Sequence, residues 1–179
     1  MKKLLGALPV LVLLLTLCPA WGVELPVQAE AALLMEKETG QVLYAKNEHQ
    51  ALEPASVTKV MTLLLVMEAL DQGRTTLEDP VTCSDVAASM GGSQIWLEPG
   101  EIMTVHELLK AAAVVSANDA CAALAEHISG SIEGFVAEMN TRAAELGMND
   151  TLFLDCSGLS DDAYSSAYDV ALMSRELMK

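Results

Sequence analysis

Ser56 stands three residues before Lys59 in the stretch Glu53-Pro-Ala-Ser-Val-Thr-Lys-Val-Met-Thr62. On a helix, residues at i and i+3 share a face, with β-carbons about 5–6 Å apart, so the amine can reach the hydroxyl. A serine hydroxyl is a weak nucleophile until a base takes its proton. A lysine becomes that base only when burial or nearby positive charge lowers its pKa. The plainer alternative is a Ser56 that caps a core helix and a Lys59 that reaches to solvent. A lone Ser-x-x-Lys arises by chance in about half of chains this long, so the pair needs support from its surroundings.

The element that must position the pair follows at once. Val60, Met61, Leu63–Met67, Ala69 and Leu70 make a run that is apolar on nearly every helical face, which belongs inside a domain. Pro54 suits the first turn, and Gly73 can take a left-handed cap after Asp71-Gln72. Ser56 and Lys59 are therefore expected in the first turn of a buried central helix. The helix N-terminus adds positive potential where charge develops on the oxygen.

Upstream, Ala31–Glu36 and Gln41–Lys46 read as strands of a hairpin around Lys37-Glu-Thr-Gly40. Downstream, Val81–Cys83 reads as a short strand, Ser84 caps a short helix to Met90, and Gln94–Leu97 is extended. Thr104 and Glu107 form a capping box for a helix to Val115 that turns Leu108, Leu109, Ala112 and Ala113 inward. Further helices are expected over Asp119–Ile128, over Ile132–Leu146 with Gly147 as stop, and from Ala167 onward, with Thr151–Phe153 extended between the last two.

A second polar site falls at a helix-to-helix junction, where Ser116 and Asn118 interrupt an apolar run. Buried polar side chains need partners. Both residues capping the following helix would explain them without chemistry. His49, His106 and His127 fall on a loop or on polar helix faces and read as surface residues. No Gly-x-Ser-x-Gly elbow is present, which disfavours a Ser-His-Asp hydrolase.

Hydrophobic residues make up 52% of the 179, enough for a core within one domain or part of a larger one. The net charge of −15 argues against nucleic acid and against an anionic membrane surface as partners. Lys2 and Lys3, then the apolar run Leu4–Leu17, then small residues, form an export signal too short for a membrane span. Val27-Gln-Ala29 is the expected cleavage site, and a cut after Ala20 or Ala31 also fits. Cys83, Cys121 and Cys156 remain in the mature chain with no Cys-x-x-Cys pair. Neither a zinc site nor a disulfide framework is indicated, pairing among the three stays open, and no metal or cofactor is expected. Cys121 reads as a small hydrophobe in a helix.

Ser56-x-x-Lys59 followed by Ser116-x-Asn118 resembles the first two motifs of the penicilloyl-serine transferases, the penicillin-binding proteins and serine β-lactamases. The surrounding text is similar to one branch, the D-alanyl-D-alanine carboxypeptidases of the S11 peptidase family. The matching stretches include Val114-Val-Ser-Ala-Asn-Asp-Ala-Cys121, Met139-Asn140, Leu146-Gly-Met148, Gly158-Leu159 and Tyr164-Ser-Ser-Ala-Tyr-Asp169.

The resemblance implies an α/β fold of the β-lactamase/DD-peptidase type, with helices against an antiparallel sheet. It implies Ser56 as acyl-ester nucleophile, Lys59 as general base, Ser116 as proton relay and Asn118 as substrate-binding residue. It implies peptidoglycan stem peptides ending in D-Ala-D-Ala as substrate, β-lactams as inhibitors, and action in the bacterial cell envelope.

The family's third motif, Lys-Thr-Gly, is absent from this sequence. Residues 1–29 accordingly read as signal peptide. Residues 30–179 read as the N-terminal part of a catalytic domain, lacking the last sheet strands and inactive by itself. Membrane association is expected only through a C-terminal tail not contained here. Asp155-Cys156 stands where many members have Asn-Pro.

Two other functions compete. A serine β-lactamase would use a glutamate with an asparagine four residues on, and Glu145 with Asn149 fits that spacing. Its text matches the carboxypeptidase branch, so Glu145 reads as a solvated helix residue. A module that binds cell-wall peptide without turnover is the non-enzymatic alternative.

Overall fold

The computed structural model describes residues 25–179; residues 1–24 of the expected export signal lie outside the described residues. Strands β1 (Ala32–Met35) and β2 (Val42–Lys46) form the expected antiparallel hairpin, with Ala32 opposite Lys46 and Leu34 opposite Tyr44. Its turn is closed by the Glu36 carboxylate, which accepts from the backbone N–H of Glu38 at 3.0 Å and of Thr39 at 2.6 Å. Gly40, at φ +74°, packs under the Arg175 guanidinium, which donates to the carbonyls of Lys37 at 2.6 Å and Glu38 at 2.8 Å.

A 3₁₀ turn (Ala55–Thr58) runs into helix α1 (Lys59–Asp71). Ser56 thus sits in the tighter turn that precedes the α-helix, not inside its first α-turn. Met61, Leu64, Leu65, Val66 and Ala69 are buried around α1, as its all-round apolar pattern requires. Gly73 takes the expected left-handed conformation at φ +69°.

Strand β3 (Pro80–Thr82) pairs antiparallel with β4 (Ile102–Thr104), and short helix α2 (Asp85–Ala88) lies between them. The architecture is α/β, with the strands in two separate antiparallel pairs. β4 was not legible as a strand: three residues between a Pro-Gly turn and a helix cap are too few for alternation to register. Ser84 caps α2 by accepting from the N–H of Ala87 at 2.9 Å. α2 stops at Ala88, two residues short of the expected Met90.

Helix α3 (Val105–Val115) starts in the predicted capping box, with Thr104 Oγ1 accepting from the N–H of Glu107 at 3.2 Å and the Glu107 carboxylate accepting from the N–H of Thr104 at 2.8 Å. Leu108 and Ala112 are buried and Leu109 is half-buried, but Ala113 faces out. The buried stripe runs Val105, Leu108, Ala112 at spacings of three and four, and Ala113 falls off its edge.

Helices α4 (Asn118–Ser129), α5 (Ile132–Leu146) and α6 (Ala167–Leu177) follow the predicted order. α4 is the most enclosed: every residue from Asn118 to Ala125 is buried. Five of the first eight residues of α4 are Ala or Cys, so neighbouring elements approach its backbone closely. One core joins these helices through Met61, Leu108, Leu124, Phe135, Met139, Phe153 and Met173.

Phe135 is fully buried where α5 meets that core. Phe135→Ala is expected to destabilise the protein by about 3–5 kcal/mol, read as a shift of the urea midpoint at unchanged m-value.

Candidate active site

Ser56 is exposed while Lys59, one turn on, is only 4% exposed. The Lys59 amine lies 3.3 Å from Ser56 Oγ and donates to the carbonyl of Ser157 at 2.8 Å. It does not reach into solvent, so the plainer alternative fails. Burial pushes the amine below the ordinary lysine value, and the nearby Asp155 carboxylate opposes that shift. An accessible hydroxyl beside a buried amine is the arrangement that a serine nucleophile and its base would need.

The segment 155–160 forms the back wall. Thr62, fully buried on α1, donates its hydroxyl to the carbonyl of Cys156 at 2.6 Å. Gly158 sits against the backbone just before Ser56: a β-carbon there would lie 1.7 Å from the Ala55 carbonyl oxygen. Only glycine permits that approach, and its φ of +82° requires glycine as well.

Ser116 and Asn118 do not cap α4. The N-cap position belongs to Ala117 and carries no side-chain cap. Ser116 instead holds a left-handed conformation at φ 59°, and its buried Oγ has no hydrogen-bond partner among the described residues. Asn118, 4% exposed, donates from Nδ2 to the carbonyl of Gly91 at 2.7 Å and from its backbone to the carbonyl of Ser93 at 2.7 Å. The 91–97 segment is thereby wrapped onto the start of α4. Gly92 packs so closely that a β-carbon would meet Asn118 Nδ2 at 2.7 Å and Leu159 Cδ2 at 3.4 Å. Ser56 and Lys59 are brought into hydrogen-bond range; Ser116 bonds to neither.

Sequence reasoning missed two carboxylates. Asp119, 1% exposed, accepts from the N–H groups of Ile95 and Leu97 at 3.1 Å each, and of Ala120 at 2.9 Å. It fixes 94–97 as an irregular loop rather than the expected extended segment, with Trp96 at φ 63° and 78% exposed. Asp155 collects the N–H groups of its own loop. Neither residue carries a local signal beyond being an Asp near a turn.

The other candidates make no hydrogen bond to the pair. Glu145 has a 58% exposed side chain paired with Arg142 at 3.1 Å, as a solvated helix residue should. His49, His106 and His127 are exposed. Cys83, Cys121 and Cys156 are buried and free, and burial pushes the thiols of Cys121 and Cys156 up to about 12.

The sequence profile of the peptidase family S11, described as D-alanyl-D-alanine carboxypeptidase, matches residues 21–179. The chain belongs to that family. It is 52% identical to the D-alanyl-D-alanine carboxypeptidase DacF of Bacillus subtilis, over all of this chain and 48% of that protein. Penicillin binding protein 5 of Haemophilus influenzae superposes with a TM-score of 0.84 at 37% identity, over 88% of this chain and 47% of its own. The D-alanyl-D-alanine carboxypeptidase DacD of Francisella tularensis superposes at 0.82 with 36% identity, over 84% and 37%. The fold is therefore that of the penicillin-binding DD-peptidases, and this S11 chain spans less than half the length of those relatives.

Asp119→Ala strips three N–H groups of a buried acceptor. A loss of roughly 3 kcal/mol is expected. Hydrogen exchange is expected to show the amides of Ile95 and Leu97 losing their protection while those of α5 keep theirs.

Proposed function

We propose that this chain carries the nucleophile half of a serine D-Ala-D-Ala carboxypeptidase that removes the terminal D-alanine of peptidoglycan stem peptides. The supporting observation is the buried Lys59 amine 3.3 Å from the exposed hydroxyl of Ser56.

Ser56 Oγ gives its proton to Lys59 and attacks the penultimate D-alanine carbonyl. The new Oγ–C bond makes a tetrahedral intermediate, whose collapse breaks the C–N bond. Ser116 passes the proton to the departing amine of the terminal D-alanine. Its buried, unpartnered Oγ supports that relay. Asn118 binds the substrate backbone with the capacity that its bond to Gly91 leaves over. Water then releases the acyl group and restores Ser56. A β-lactam enters by the same attack and leaves slowly. The Lys2, Lys3 and Leu4–Leu17 pattern supports export of the protein to the cell envelope.

Labelling of the full-length protein with a fluorescent penicillin tests the reading. Ser56→Ala is expected to abolish the label, and Lys59→Ala to slow it by about 10²–10⁴-fold, the usual worth of a general base. Equal labelling of Ser56→Ala would refute the assignment. Because the neutral amine is the active form, the labelling rate is expected to rise with pH through the Lys59 titration. Its midpoint should fall below the ordinary lysine value of 10.5.

A further inference from the structure

Lys59 is held from outside its own helix by one segment, residues 155–160, whose shape depends on a single side chain. Asp155 Oδ1 accepts from the N–H of Ser157 at 2.6 Å, from the N–H of Gly158, and from the Ser157 hydroxyl at 3.3 Å. Its Oδ2 accepts from the N–H of Ser160 at 2.6 Å. With the N–H groups of 157, 158 and 160 turned inward onto the carboxylate, the carbonyls of Cys156 and Ser157 are left to point at α1. They receive Thr62 and the Lys59 amine.

We propose that Asp155 is a positioning residue for the acyl-transfer pair: its carboxylate shapes the loop that holds the Lys59 amine against Ser56, and its charge favours the protonated form of that amine. The inference rests on the acyl-transfer reading above.

The groups that face Lys59 are few. Ser56 lies on its own turn, Cys121 approaches from α4, and Asp155 and Cys156 approach from the loop. Both thiols are pushed up to about 12 and are neutral wherever the amine titrates. Asp155 is different. Burial alone would raise its carboxyl, but the N–H groups of Ser157, Gly158, Ser160 and Leu159 hold it below the usual carboxylate range, so it stays charged. Of these neighbours it is therefore the one that carries charge at neutral pH. A carboxylate favours the ammonium form of Lys59 and so works against burial.

Asp155→Asn keeps a carbonyl oxygen for Ser157 and Gly158 and removes the charge. In the full-length protein, the acid limb of penicillin labelling is expected to move to lower pH, the direction that removal of a nearby opposite charge gives. The ¹³Cε resonance of Lys59 is expected to titrate lower by the same amount, with no labelling involved. A purely structural role would lower the labelling rate at every pH and leave both midpoints in place. That result would overturn the proposal. Should Asp155→Asn fail to fold, Asp155→Ser, which keeps one uncharged acceptor, is expected to show the same downward movement, and an unmoved midpoint there overturns it equally. If the wild type takes no label, the acyl-transfer reading fails, while the Lys59 resonance still decides whether Asp155 governs the amine.

Discussion

The arrangement depends on one contact, the 2.8 Å hydrogen bond from the buried Lys59 amine to the Ser157 carbonyl. An ammonium taken out of water without compensation is strongly disfavoured, and it either finds partners or gives up its proton. Here it has one backbone acceptor, one hydroxyl and one carboxylate at further range. That is enough to keep the side chain indoors and too little to hold the proton as water would. The acyl-transfer chemistry proposed for this site rests on that shortfall. A better-solvated lysine would be a poorer base, and a lysine with no partner would not stay beside Ser56.

Everything that surrounds the contact serves close approach. α1 brings Lys59 inward because its apolar residues leave it nowhere else to pack. α4 can pass nearby because Ala120, Cys121, Ala122 and Ala123 occupy little room. The 155–160 loop reaches the turn that carries Ser56 because Gly158 has no side chain to strike the Ala55 carbonyl. Packing and positioning are the same fact at this site. A methyl group added at Gly158 would displace the segment that holds the amine.

Much of this was legible in the sequence, and for physical reasons. Hairpin turn, capping box and helix stops are local devices, decided by residues within a few positions of one another, and the structure places them where spacing put them. The pairing of Ser56 with Lys59 was legible because i and i+3 geometry is itself local. What was not legible is tertiary. Asp119 reaches back to Ile95 and Leu97, Asp155 acts through a loop that touches a helix nearly a hundred residues earlier, and Ser157 contributes a carbonyl that every residue type possesses. The reading of Ser116 and Asn118 as caps failed for the same reason: a distant segment, Gly91–Ser93, claims Asn118 before the cap can form.

Three of the four non-glycine residues at positive φ among the described residues fall on the segments that carry or flank Ser56 and Asn118; the fourth is Asn47, after β2. Ala55, Trp96 and Ser116 all hold positive φ without being glycine, at φ 44°, 63° and 59°. One precedes Ser56, one lies in the loop tied to Asn118 and Asp119, and one joins α3 to α4. Such conformations cost roughly 1–3 kcal/mol each and persist only where the surroundings over-determine them. Asp119 supplies that constraint beside Trp96, and Gly158 packs against Ala55. The two buried side-chain oxygens without a partner among the described residues are Thr58 Oγ1 and Ser116 Oγ. A fold optimised for stability alone would relax the backbone there and pair those oxygens. A hydroxyl with no protein partner keeps its full capacity to exchange hydrogen bonds with an incoming polar group.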